Sequence, residues 1–228
     1  MLEDLKKEVY EANIELVNQG LVKYTWGNVS GLDKTRQYLV IKPSGVDYNI
    51  LTYKDMIVVD LNNERVEGEL KPSSDTPTHI EIYKAFSDVW GVAHTHSVYA
   101  TAFAQAGKGI NPYGTTHADY FYGKIPCTRQ MLKEEVMEEY EKNTGKLIVE
   151  TFEYLKYQDI PACLIKSHGP FTWGSDAKNA VFNSVVLEEV AKIAYLTETL
   201  NSEVSPISKY LTDKHFKRKH GKDAYYGQ

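Results

Sequence analysis

The sequence predicts a three-layer αβα fold, with helices on both faces of a central mixed, largely antiparallel β-sheet. Two features of the chain point to it. Short β-like runs crowd the first third with little but turns between them, the arrangement that hairpins need. Further along, apolar runs alternate with stretches of helical periodicity, so the later strands must be joined through helices that cover the sheet. No internal repeat, low-complexity tract or linker interrupts the 228 residues, which predicts one domain over 1–228.

Taken in order, Leu2, Leu5, Val9, Ala12 and Leu16 recur at helical spacing, and Gly20 ends that helix. β-like runs follow at Tyr24–Ser30, Tyr38–Lys42 and Met56–Asp60. Asn62-Asn63 then turns the chain into Glu64–Gly68, closing a hairpin. Lys71-Pro72-Ser73-Ser74-Asp75-Thr76-Pro77 carries capping residues and a proline suited to a helix start, and the helix runs to about Phe86. Val92-Ala93-His94-Thr95-His96 reads as a strand and Ser97–Ala106 as a helix. Residues 107–123 form a long loop, which in a compact domain is more often functional than idle. Helices at about 131–142 and 145–156, a buried strand Ala162–Lys166, a long helix Asp176–Leu200 and a last helix Pro206–Lys219 complete the chain.

Composition narrows the function class. Hydrophobic residues make up 42% and charged residues 25%, the balance of an ordinary globular protein. A net charge of −5 argues against general nucleic-acid affinity. The start has no basic region followed by an apolar one, and nothing later approaches a membrane span. Cys127 and Cys163 lie far apart and in no C-x-x-C pattern, so neither a disulfide framework nor a cysteine zinc site is expected. The expected setting is cytoplasmic, with reduced thiols.

The chemistry starts from His94 and His96. On an extended strand, side chains at i and i+2 leave the same face, so two imidazoles can converge on one metal ion. Zinc in catalytic sites commonly takes three protein ligands and keeps one position open. His168, just beyond the Ala162–Lys166 strand and followed by Gly169-Pro170, is a candidate third ligand, or else a loop histidine bonded to backbone. Asp75 is a candidate fourth ligand, or else a helix N-cap. Manganese or cobalt would suit the same donors.

Thr25-Trp26-Gly27-Asn28, Lys42-Pro43-Ser44-Gly45 and Ser73-Ser74 read as parts of an anion cradle. Glycines admit close backbone N–H groups, hydroxyls donate, a helix start favours phosphate, and Lys42 adds positive charge. Each alone also fits a plain turn. Asp119, in Gly114-Thr115-Thr116-His117-Ala118-Asp119-Tyr120, sits among apolar and aromatic residues, where burial would raise its pKa and suit it to proton transfer. A turn aspartate is the alternative. The basic run Lys214–His220 is a solvated helix face or a means of steering a phosphorylated substrate. The aromatic tail Tyr225-Tyr226 suggests docking on a neighbouring subunit.

Together the segments Thr25–Asn28, Ile41–Gly45, Lys71–His79, His94–His96, Gly114–Tyr120, Ser167–Pro170 and Ala224–Gln228 resemble the L-ribulose-5-phosphate 4-epimerase family, a branch of the class II aldolase/adducin family. The resemblance spans essentially the whole chain. Histidines 94, 96 and 168 are shared with the aldolases, while the His-Ala-Asp-Tyr loop and the terminal Tyr-Tyr-Gly-Gln are closer to the epimerases. Aldolases of the family usually carry glutamate where Asp75 stands.

The resemblance implies a class II aldolase-like fold and one Zn2+ per subunit on His94, His96 and His168, with Asp75 nearby or ligating. It implies substrate phosphate against Gly27, Asn28, Ser44, Gly45, Ser73 and Ser74, and proton transfer by Asp119 and Tyr226. The implied assembly is a fourfold-symmetric homotetramer with the site between subunits and the terminal tyrosine supplied by the neighbour. Apart from the resemblance, His215 and Arg218 are candidates for touching substrate across that interface. The implied reaction is C4 epimerisation between L-ribulose 5-phosphate and D-xylulose 5-phosphate, by retro-aldol cleavage and re-addition, as in arabinose catabolism or ascorbate-type sugar breakdown. The alternatives are a class II aldolase on a related phosphorylated ketose, or a non-catalytic adducin-like interaction module.

Overall fold

The computed structural model describes residues 2–222, 224 and 225. Seven strands form one sheet in the order β4-β3-β2-β1-β5-β7-β6. β1 (Asn28–Leu32), β2 (Tyr38–Ile41), β3 (Ile57–Asp60) and β4 (Arg65–Glu67) run as a meander to one edge. β5 (Gly91–His94) adds to the other side of β1, and the hairpin of β6 (Ala162–Leu164) and β7 (Pro170–Gly174) completes the sheet. Aspartates close both turns, one at the predicted Asn62-Asn63 and one, not predicted, at Asp33. Asp33 accepts from the backbone N–H of Thr35, Gln37 and Tyr38 to close β1 on β2. Asp60 accepts from Asn62 and Glu64, with Asn63 in the left-handed region at φ 70°, to close β3 on β4.

Alternation along the strands separates two cores. Leu39, Ile41, Ile57, Val59, Val92, Phe171 and Trp173 face a cluster that includes Ile80, Ile82 and Tyr83 of α2 (Thr76–Ala85). Phe103 of α3 (Val98–Gln105) belongs to the same cluster. Val29, Val40, Met56, Val58 and Ala93 face the other way, onto Val9, Ala12 and Leu16 of α1 (Glu3–Asn18). The short α4 (Thr115–Ala118) and α5 (Lys133–Met137) precede α6 (Tyr140–Thr151), whose Ile148 packs beside α2 in the first cluster. The long α7 (Ala177–Leu200) serves both cores, with Ala180 and Val181 in the second and Leu187 and Val190 in the first. α8 (Lys209–His220) packs on α4. Among the described residues, no helix is long and apolar enough to cross a membrane.

The expected three layers are present, with differences of detail. The named strands pair only antiparallel, not in a mixed sheet; among the described residues, parallel pairing is confined to the isolated bridge between Cys127 and Leu164. The run expected at Tyr24–Ser30 becomes strand only from Asn28, because Tyr24 (φ 51°) and Gly27 (φ 76°) both bend the chain. The strand Pro170–Gly174 has no counterpart among the expected elements: bracketed by proline and glycine it reads as a turn, yet proline is tolerated as the first residue of a strand. The 107–123 loop contains α4. The break between the two middle helices falls at Glu138 and Glu139, so α6 starts at Tyr140, and α8 starts at Lys209 rather than Pro206.

One side chain ties the β1–β2 turn to the end of α2. Arg36 donates to the carbonyls of Tyr83, Phe86, Ser87 and Val89, and its guanidinium lies 4.7 Å from the Trp90 ring centre. It satisfies carbonyls that a helix end leaves open and meets the negative end of the helix dipole. Arg36→Met should lower unfolding free energy by about 1–3 kcal/mol in urea titration, since charged hydrogen bonds are lost and carbonyls left open. An unchanged midpoint would show that water replaces the guanidinium without loss.

Candidate active site

β5 sets the site. Its residue His94 pairs in register with Asn28 of β1 and Phe171 of β7, and the Phe171 ring stacks on the imidazole at 4.2 Å. The Pro170 carbonyl lies 2.9 Å from His94 Nδ1. A carbonyl only accepts, so Nδ1 carries the hydrogen and the neutral ring keeps its lone pair on Nε2. His96 follows two positions later, and its Nε2 faces that of His94 at 3.1 Å. His168 rides the tight turn between β6 and β7, closed by His168 N–H to Ile165 O and Ile165 N–H to Gly169 O, with Ser167 at φ 65°. Its ring centre is 4.7 Å from that of His94 and 5.1 Å from that of His96.

Each of the three offers a ligand nitrogen within 4.8 Å of the others. Burial pushes the pKa of all three below the ordinary histidine value, to about 4 for His168. Neutral imidazoles with converging lone pairs fit a divalent ion and poorly fit an empty space, so the donor set suits the expected metal.

The three predicted cradle segments meet the histidines in one cavity of about 610 Å³. Gly27, Asn28, Lys42, Ser44, Gly45, Ser73, Ser74 and Asp75 all line it. A backbone ladder joins the second and third segments: Ser44 N–H donates to Lys71 O and Ser73 N–H to Lys42 O, with Pro43 bridged to Pro72. Gly27 is needed twice over, for its positive φ and because a Cβ there would stand 2.7 Å from the His94 carbonyl oxygen.

Lys42 is buried, 1% exposed, and its ammonium donates to Val46 O at 2.7 Å and Pro43 O at 3.2 Å, 4.6 Å from the Tyr48 ring centre. Burial lowers its pKa to about 8, with Asp47 opposing.

Asp75 occupies the N-cap position of α2, yet its side chain caps nothing there. Its carboxylate instead accepts from Asn28 Nδ2 at 2.7 Å, and Asn28 also donates to Ser73 Oγ at 3.1 Å. Burial would raise the Asp75 pKa, but the imidazoles of His94 and His79 and the Asn28 amide outweigh it and draw the value down. Asp75 shares the cavity but is not one of the three clustered donors.

Asp119 stands apart and does not line this cavity. Its carboxylate is held by Arg218 through two contacts of 3.1 and 2.9 Å and by His215 at 3.0 Å, while His220 donates to its carbonyl. The expected rise in its pKa is reversed. Burial does push upward, but the hydrogen bonds and charge from α8 hold the carboxyl below its ordinary value. Tyr226 lies outside the described residues, while Tyr225 is exposed, 5.3 Å from Lys214 Nζ.

Two further residues line the cavity without having been singled out: Tyr140 and Glu141, at the start of α6. Nothing in the local sequence marks them, because a helix break at Glu138-Glu139 brings them there. Trp26, already part of the first cradle segment, has its ring 6.2 Å from that of His96.

His96→Asn removes one of three clustered nitrogens, and the purified protein should then lose nearly all bound divalent metal by elemental analysis. Full metal content in that variant would separate the cluster from metal binding.

Comparison with known proteins gives the family and the fold. The family model of the class II aldolase and adducin N-terminal domain matches residues 7–195. An L-fuculose 1-phosphate aldolase structure is 26% identical, with 94% of this chain and 95% of that one covered at a TM-score of 0.80. YgbL from Klebsiella pneumoniae, assigned only provisionally as an aldolase/epimerase/decarboxylase, is 23% identical, with coverage of 94% and 99% and a TM-score of 0.75. L-fuculose-1-phosphate aldolase from Thermus thermophilus is 23% identical, with coverage of 89% and 100% and a TM-score of 0.70. The chain belongs to the class II aldolase and adducin N-terminal domain family.

Proposed function

We propose that this protein is a divalent-metal enzyme that breaks and remakes a carbon–carbon bond in a phosphorylated ketose, and that its reaction is the C4 epimerisation of L-ribulose 5-phosphate to D-xylulose 5-phosphate. The observation that carries the metal and phosphosugar reading is the union of three neutral histidines with a lysine- and serine-lined cradle in one cavity. The choice of epimerase follows the resemblance of Asp75, the His117-Ala118-Asp119-Tyr120 loop and the terminal Tyr225-Tyr226-Gly227-Gln228 to that branch.

C4 of a 2-ketose is not adjacent to the carbonyl, so enolisation cannot invert it, whereas cleavage of C3–C4 can. A divalent ion on His94, His96 and His168 supplies Lewis acidity for the charge that builds up on the carbonyl side of that bond. Zinc is the proposed ion, one per subunit.

The chain does the rest. Lys42 supplies a cation to the phosphate, and the hydroxyls of Ser44, Ser73 and Ser74 with the backbone at Gly27 and Gly45 fix its position. That grip keeps a two-carbon aldehyde phosphate from escaping while it turns to present its other face. Proton transfer at the C4 oxygen on opposite faces is assigned to Asp119 and Tyr226. Arg218 and His215 keep Asp119 ionised, the form that accepts a proton. Because Asp119 does not line the cavity of its own chain, the reading requires a homo-oligomer, proposed as a fourfold tetramer, in which a neighbour brings Asp119 and Tyr226 to the site.

The likeness to L-fuculose 1-phosphate aldolase keeps a second reading in view: an aldolase that releases the aldehyde. Proton NMR of L-ribulose 5-phosphate with zinc-loaded protein decides between them. Xylulose 5-phosphate as the accumulating product is expected; free glycolaldehyde phosphate would favour the aldolase, and no turnover would leave a binding module. Lys42 adds a pH signature. Its charged form binds the anion and exists below about pH 8, so inorganic phosphate affinity should fall as pH rises from about 7.5 to about 9.5. Titration calorimetry should show that fall in the wild type and none in Lys42→Met; a flat wild-type profile would remove Lys42 from the cradle.

A further inference from the structure

We propose that Tyr140 is a positioning residue for the metal centre, acting through His168. This rests on the metal-site reading above. The Tyr140 hydroxyl lies 3.3 Å from His168 Nδ1, and the two rings are inclined at 36° with centres 6.1 Å apart. In the tautomer that keeps the His168 lone pair on Nε2 for the ion, Nδ1–H donates and the phenol oxygen accepts. It does for His168 what the Pro170 carbonyl does for His94. Among the hydrogen bonds described for the three histidine rings, these two hold a ring at Nδ1: the Pro170 carbonyl by accepting only, the Tyr140 hydroxyl by accepting in the ligating tautomer.

The support behind Tyr140 is built in. The break at Glu138-Glu139 makes Tyr140 the first residue of α6, and that end of the helix is pinned to α2. Thr78 Oγ1 donates to Glu141 O, and Thr144 Oγ1 donates to Tyr140 O at 2.8 Å. Gly145 lets the two helices close up, since a Cβ there would meet Thr78 O at 2.9 Å and Glu81 Cβ at 2.6 Å. The hydroxyl is therefore presented to His168 by a fixed backbone and not by a mobile loop.

His168 is half-buried at a turn whose tip, Ser167, is exposed, and apart from the neighbouring rings of His94, His96 and Phe171 its imidazole is met by the Tyr140 hydroxyl. His94 needs no such help, being walled in by Phe171 and the sheet.

The test is zinc affinity of metal-free wild type and Tyr140→Phe, measured by competition with a chromogenic chelator, together with the melting temperatures of both metal-free proteins. The expected result is a zinc dissociation constant raised about 10- to 100-fold in the variant, with unchanged melting, the usual size of effect for a lost partner of a ligating histidine. Equal affinity in the two proteins would overturn the inference while leaving the metal reading intact. A metal-free variant that melts well below wild type would also overturn it, because the hydroxyl would then be a structural strut. Wild-type protein that takes up no zinc would end the metal reading and this inference with it.

Discussion

The site depends on one carbonyl. Pro170 O accepts both the backbone N–H of Thr95 and the Nδ1–H of His94. The first contact continues the β5–β7 ladder past its last pair, and the second fixes the ring that this ladder delivers. Because β7 is the return strand of the hairpin whose turn carries His168, that pairing also determines how far His168 stands from His94. Sheet register and donor geometry are thus one constraint. Moving β7 by one residue would point Phe171 to the wrong face and carry the hairpin turn away with it.

Around that constraint the protein buries groups that water would solvate better. The Lys42 ammonium is enclosed by two carbonyls and an aromatic ring. His79 is fully buried, its pKa lowered to about 3 by burial, and its Nε2 finds no hydrogen-bond partner among the described residues. The Asn28 side-chain amide oxygen, Oδ1, is likewise unpartnered among them. Such groups cost stability in a free chain, a cost that the proposed binding of a phosphate and a divalent ion would offset. The apolar faces of α1, α2 and α7 offset them: Val9, Leu16, Ile82, Tyr83 and Leu187 are all essentially excluded from solvent.

How much of this is legible in the sequence varies with range. Local signals work well: the asparagine turn at 62–63, the i,i+2 histidines, and the serine-aspartate-proline start of α2 all lie where their chemistry requires. His168 and the cradle are legible because glycine, proline and hydroxyl residues mark special backbone. Long-range facts are not. Nothing near Asp119 announces that Arg218 and His215, almost a hundred residues away, will lower its pKa instead of letting burial raise it. Tyr140 is invisible for the same reason, since its place comes from a helix break with no sequence signature. β7 is hidden because a proline start and a glycine end resemble a loop until neighbours on both sides pair with the residues between.

The docking of α8 on Asp119 divides the chain's chemistry between two territories. The histidine cavity draws on residues 25–168, whereas the ionisation of Asp119 is governed by the final helix. Limited proteolysis between α7 and α8 would therefore part the residues of the histidine cavity from the helix that holds the carboxylate. On the proposed function, such a clipped protein would keep its three clustered histidines and yet lose the groups that hold Asp119 ionised, so that metal occupancy and turnover part company at one peptide bond.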